Sequence, residues 1–150
     1  MAAASKYGLL RNLAQDKVDA AAERMRVAQS NQQSARAKLG QLQEFLSEYQ
    51  HRLTSGGMRG MGIAQWQDFQ RFLRRLQEAV EIQQGEVDRC VQRFMLERQS
   101  WLLERRQLKA YEKLIERERM LAEKAEVRRE QKQTDEFASR RFWDQTHPDD

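Results

Sequence analysis

Stepping by sevens from Trp66, the chain reads Trp66, Leu73, Val80, Val87, Phe94, Trp101, Leu108, Ile115 and Ala122, apolar at every step. Hydrophobic residues make up 39% of the chain, so a run of that length in one chosen register arises about once in five thousand draws. A sustained repeat of seven is the seam of a helical coiled coil. The companion row, Phe69, Leu76, Gln83, Cys90, Glu97, Glu104, Tyr111, Glu118 and Ala125, is more polar. The two-row seam therefore holds at its start and thins toward the C-terminus, where Leu96, Leu103 and Ala110 are expected to widen the stripe in part.

Upstream, an alternation of three and four gives Ala14, Val18, Ala21, Met25, Ala28, Gln32, Ala35, Leu39, Leu42, Leu46, Tyr49 and Leu53, with Gln32 the one polar member. No two-residue repeat is present, which argues against strands. The fold class expected is all-α: two long helices, Ser5–Thr54 and Ile63–Gln133, spanning about 75 and 105 Å at 1.5 Å per residue. Between them lies "TSGGMRGMGIAQW", which holds four of the seven glycines. Gly56 or Gly57 can take the left-handed conformation that closes a helix, and the turn over 55–62 reverses the chain into an antiparallel hairpin. Residues whose numbers sum to about 119 then share a level. The alanine-rich part of helix 1 faces Phe94, Trp101 and Leu108, small against large. Helix 1 runs out first, so the end of helix 2 overhangs without a partner in the chain. Beyond it, residues 134–150 are expected to form a flexible or short-helical tail, with Thr134 or Asp135 able to cap a new turn.

Charge and chemistry narrow the function. The net charge of +4 comes from 27 basic and 23 acidic residues, interleaved in the manner of a solvated helix surface. Cys90 is the only cysteine, which rules out an internal disulfide and fits a reducing compartment. The start, "MAAASKYGLLRNLAQDK", has no apolar run of a signal peptide, and no stretch approaches the ~18 apolar residues of a membrane span. His51 and His147 stand without ligands at metal spacing. Cys90 falls on the seam, where a small hydrophobe is wanted. "GGMRGMG" lacks the Lys-Ser/Thr of a phosphate loop. Two paired helices also offer no concave pocket, so the chain is expected not to be an enzyme and to carry neither cofactor nor metal. Glutamates interrupt the basic C-terminal third and would repel nucleic-acid phosphate, which leaves a solvated or a protein-docking face.

Near the turn the sequence carries more aromatic residues than a two-row seam uses. Leu42, Phe45 and Tyr49 share one face of helix 1; Phe72, Leu76, Ala79 and Gln83 share one face of helix 2. Phe45 and Phe72 fall off the seam. Either they cap its ends and bury each other, or they form an exposed aromatic patch that marks a partner site.

At these residues a resemblance enters. "LLRNLAQDKVDAAAERM", "FLSEYQHRL", "GMGIAQWQDFQRFLRRLQEAVEIQ" and "EQKQTDEFASRR" together resemble the flagellar FliJ family over nearly the whole chain. The specific parts are Glu48-Tyr49 before the joint, Gly62-Ile63 with Trp66 and Phe69 after it, and "TDEFA" at Thr134–Ala138. The resemblance implies an antiparallel coiled coil like the two long helices of a rotary ATPase gamma subunit, serving the flagellar type III export apparatus. Its terminal end would enter the hexameric export ATPase and promote assembly and activity. A surface at Leu42, Phe45, Tyr49, Phe72, Leu76, Ala79 and Gln83 would meet the cytoplasmic domain of the export-gate membrane protein. Lys38, where relatives often carry an uncharged polar residue, is a departure from that surface. Ring contact would fall to Lys6, Arg11, Lys17, Arg117, Arg119, Lys124, Arg128 and Arg129. Export chaperones are further implied partners, and an escort adaptor for them, or a plain coiled-coil scaffold, is the alternative role. The implied location is the bacterial cytoplasm at the inner membrane beneath the basal body, with membrane association only through partners and no nucleic acid.

Overall fold

The computed structural model describes residues 6–56 and 59–148, and among these it contains two helices and no strand. Helix α1 is Gly8–Thr54 and helix α2 is Ile63–Thr146. Two compact units divide the chain: Lys17–Glu104, and Met1–Asp16 with Arg105–Asp150.

In the unit Lys17–Glu104 the two helices pack antiparallel. Arg24 meets Glu97, the Gln83 side-chain amide donates to the Ala35 carbonyl, and Tyr49 packs on Phe72. The residue numbers of each pair sum to about 120, which fixes one continuous register. Ala35, Leu39 and Val87 form the core cluster, with Val80, Cys90 and Val91 against it. Every α1 residue on the row from Ala14 to Leu53 is buried or half-buried. Ala21 is fully covered, and the residues at its level and the next, Trp101 and Phe94, are half-buried. A methyl group in the seam leaves room for an indole or phenyl ring across it, so the pair fills without a void.

In the unit Met1–Asp16 with Arg105–Asp150, Ala14 and Leu108 are buried and Arg11 reaches Glu112 at 3.9 Å. Past Glu118 every described residue of α2 is exposed.

The turn is closed by identifiable devices. Gly56 takes φ 78° and Gly60 takes φ 86°, conformations costly for any residue with a Cβ. Gly56 is thus the residue that ends α1, while Gly57 lies outside the described residues. The hydroxyls of Thr54 and Ser55 donate to the carbonyls of His51 and Arg52, and the Ser55 N–H also donates to the His51 carbonyl at 2.8 Å, so the last turn's carbonyls are partnered. At the start of α2 the Gly62 N–H is accepted by the Gln65 side chain at 3.4 Å, half of a capping box.

Two expectations about ends differ from the structure. Ser5, the expected start of helix 1, lies outside the described residues, and α1 begins at Gly8. Helix 2 does not end at Gln133, and a separate tail over 134–150 does not follow it: α2 continues to Thr146. The physical reason is that no glycine or proline intervenes before Pro148. Thr134 caps nothing; its hydroxyl donates back to the Glu130 carbonyl at 2.9 Å, within an unbroken helix. Thr146 repeats this with Phe142, the His147 ring stacks on Trp143 at 3.7 Å, and Pro148 then bars the backbone from continuing.

The C-terminal widening of the stripe also differs. Leu96 and Leu103 are 61% and 55% exposed, and Ala110 is exposed as well. Glu97, Glu104 and Glu118 of the companion row are the covered residues instead. Seam geometry, set by the seven-residue repeat, decides which positions are covered; residue polarity does not.

Candidate docking surface beside the turn

Tyr49 organises the aromatic residues near the turn. Its ring meets Phe72 edge-on with centroids 4.9 Å apart, and Phe69 at 6.1 Å, separations typical of favourable aromatic pairs. On the other side the Arg52 guanidinium lies over the Tyr49 ring at 5.2 Å while its fork bonds Glu48 at 3.0 Å. The Tyr49 ring is held by three neighbours, Phe69, Phe72 and Arg52.

Phe45 and Phe72 do not bury each other. Phe45 is 53% exposed and Phe72 is 44% exposed. Phe72 rests its edge on Tyr49, and Phe45 lies one helical turn back along α1. Leu42, Leu76 and Ala79 are half-buried between solvent and seam. Gln83 stands apart from the other six: its amide is engaged with the Ala35 carbonyl at 3.0 Å, which makes it a clamp between helices. The result is a ridge of two exposed phenyl rings over a half-buried aliphatic floor, uncharged at its centre, the composition of an anchor for protein binding. Lys38 is exposed one turn from Leu42 and lies near Glu86, whose carboxyl pKa it helps lower, behind the larger effect of the Arg89 hydrogen bond.

The basic residues expected to meet a ring are distributed unevenly. Lys17 belongs to the unit Lys17–Glu104; the others belong to the second unit. There Lys6 lies over the Tyr7 ring at 5.1 Å. Arg11 has Glu112 and Asn12. Arg119 grips Glu116 at 2.7 Å and Glu123 at 3.1 Å; its hydrogen bond to Glu116 raises the guanidinium pKa and lowers that of the carboxyl. Arg129 faces Glu126 at 3.7 Å. Arg117, Lys124 and Arg128 make no ion pair among the described residues and share one face with Met120, spaced i, i+7 and i+11. These three have their donors open to a partner, whereas Arg119 and Arg129 serve the helix itself. Spacing alone could have separated the two sets, since Arg119 and Arg129 each follow a glutamate by three residues.

Among the described residues no group of three or more His, Cys, Asp or Glu is placed to hold a metal ion, and no helix is long and apolar enough to cross a membrane. Cys90 is half-buried in the seam, against the Ala35–Leu39–Val87 cluster, with Sγ 3.8 Å from Glu86.

Fold and surface together define a helical-hairpin coiled coil with an exposed aromatic ridge by its turn and an exposed helical stretch at the end of α2. The model of the family described as Flagellar FliJ protein matches residues 4–147. A Flagellar FliJ protein of Salmonella typhi is 30% identical over 131 residues, which cover 87% of this chain and 89% of its own. Another, from Escherichia coli (strain K12), is 29% identical over 140 residues, covering 93% and 95%. The chain belongs to the flagellar FliJ family.

Proposed function

We propose that this chain is a non-enzymatic component of the flagellar type III export apparatus, a stalk that links the export ATPase to the export gate. In this reading the arm of α2 enters the ATPase hexamer and promotes its assembly and activity. The ridge of Leu42, Phe45, Tyr49, Phe72, Leu76 and Ala79 binds the cytoplasmic domain of the gate protein, with Gln83 holding the helices beneath it. The protein works in the cytoplasm, at the membrane face, through these partners.

One observation carries the reading. From Arg119 to Thr146 α2 is a helix in which every residue is exposed. A helix that covers none of its apolar residues within its own chain gains stability from a partner. Open cations at Arg117, Lys124 and Arg128 suit contacts with charged loops of several subunits in turn. Each such contact is weak and screened by salt, as a shaft that must not adhere to one subunit requires. Lys6, just before α1, and Arg11 and Lys17 on it would add contacts, while Arg119 and Arg129 would keep the arm helical.

Removal of the chain after Arg119 tests this assignment. The truncated protein is expected to keep the seam up to Ile115, and so a cooperative thermal transition, and to lose stimulation of the ATPase. Full stimulation by the truncated protein would remove the arm from the mechanism.

A further inference from the structure

Leu96 and Leu103, expected to widen the seam, instead share an exposed heptad position with two residues that line a groove, Ile82 and Arg89. In the unit Lys17–Glu104, a groove runs along one side of the helix pair. Val27, Arg24 and Arg93 line its first part; Ser34, Lys38, Ile82 and Arg89 line its second, and Asn31 belongs to both. On α2 the stripe Ile82, Arg89, Leu96, Leu103 repeats every seven residues, and its three aliphatic members are 70%, 61% and 55% exposed. On α1 the stripe Ala20, Val27, Ser34 repeats every seven residues, with Val27 44% exposed. Two exposed heptad stripes that each supply two lining residues to one groove, Ile82 and Arg89 from α2 and Val27 and Ser34 from α1, offer a receptor surface for another helix in a coiled coil.

The charges lining that groove are of unequal availability. Its carboxylates are already held: Glu23 by Arg26 at 2.7 Å, Glu86 by Arg89 at 2.7 Å, and the buried Glu97 by both Arg24 at 3.1 Å and Arg93 at 3.0 Å. Arg89 is taken up by Glu86, but the other cations are not saturated. The side chains of Arg24 and Arg93 remain 50% and 69% exposed around their single shared carboxylate, and Lys38 is exposed. A guanidinium has five N–H donors, so donors remain for a second carboxylate.

We infer that this groove receives an amphipathic helix of another protein, with aliphatic residues at heptad spacing and glutamates or aspartates along its edges, to form a local three-helix coiled coil. The groove borders the aromatic surface at Lys38 and Gln83 and lies apart from the arm, and its occupancy does not require either of those to act as proposed. Charge selects the ligand here: the aliphatic stripes accept any apolar helix face, and the open cations favour one with acidic edges.

The probe is a fluorescently labelled four-heptad peptide with Leu and Ile on its seam and Glu at its flanking positions, set beside a twin with Lys at those flanks. Anisotropy titrations use the full-length chain. The Glu peptide is expected to bind saturably at one per chain, and the Lys twin at least tenfold more weakly. Leu96→Gln with Leu103→Gln is expected to cut Glu-peptide binding at least tenfold with unchanged helical circular dichroism. Lys38→Glu with Arg93→Glu is expected to narrow or invert the preference between the twins. Equal binding of the twins, no binding of either, or binding indifferent to the Leu96 and Leu103 substitutions overturns the inference. So does concentration-dependent self-association that those substitutions abolish, since the groove would then belong to a second copy of the chain.

Discussion

Glu97 is the one buried charged residue among those described, 9% exposed at a seam position where a hydrophobe packs best. Arg24 from α1 and Arg93 from α2 hold it, and Arg24 also donates to Ser100 at 3.4 Å. Because desolvating such a pair offsets most of its attraction, Glu97→Leu is expected to leave stability unchanged or raise it by about 1–2 kcal/mol. Arg24→Ala with Arg93→Ala, which strands the carboxylate, is expected to cost about 3 kcal/mol. Urea unfolding checks both, and a loss on Glu97→Leu as large as that of the double arginine variant would contradict this view of the triad. The phenyl rings follow a different rule. Phe45 and Phe72 are exposed, so Phe45→Ala with Phe72→Ala should barely move the melting temperature. Under the proposed function it weakens binding to the cytoplasmic domain of the gate protein by about tenfold or more, read by calorimetry, and leaves ATPase stimulation intact.

The elements were legible to different degrees. The heptad spacing named the covered residues of α1 from Ala14 to Leu53 and of α2 from Leu73 to Ile115, while Trp66 and Ala122 at the ends of its row are exposed, because burial in a two-helix seam depends on spacing and on a partner at that level. The turn was legible from its glycines, since only left-handed φ at Gly56 and Gly60 closes the chain so tightly. The end of α2 was not. "TDEFASRRFWDQT" looked like a break because its apolar residues match no seam, yet seam loss does not unwind a helical stretch that lacks glycine and proline. The fate of Leu96 and Leu103 was hidden too, because an apolar residue beside a seam reads the same whether it joins the seam or stays exposed. Along the arm, the hydrogen bond from Arg119 and its nearby charge hold the Glu116 carboxyl below its ordinary pKa of 4.5. A carboxylate with a lowered folded pKa contributes stability above its unfolded pKa and loses it as pH falls through the folded value. Arm helicity should therefore decline as pH drops from about 4.5 downward, by a small amount, since the pair is exposed. Glu116→Gln should flatten that decline in circular dichroism at 222 nm; an identical acid limb in the variant would show that the pair does not support the helix.

At the scale of the molecule, each unit carries its own exposed chemistry: the aromatic ridge on Lys17–Glu104, and the open cations Arg117, Lys124 and Arg128 on the unit that contains the arm. Family membership accounts for the length of the match, residues 4–147, and the physical reading assigns work to its parts. The aromatic ridge was legible as a surplus of aromatic residues beyond what a seam uses. Whether those rings were buried was not, because that depends on the side-chain packing around Tyr49. The division of the arm's cations into open and paired sets was readable from three-residue spacing, and the structure sorts them residue by residue.

The central claim, that the chain acts as the stalk of the export ATPase, is tested most directly by titrating it into the cognate flagellar ATPase at moderate salt. ATP hydrolysis and light scattering are followed together. A rise in both, saturating well below one chain per ATPase subunit, is the predicted result. Hydrolysis and scattering that stay flat across the titration would contradict it.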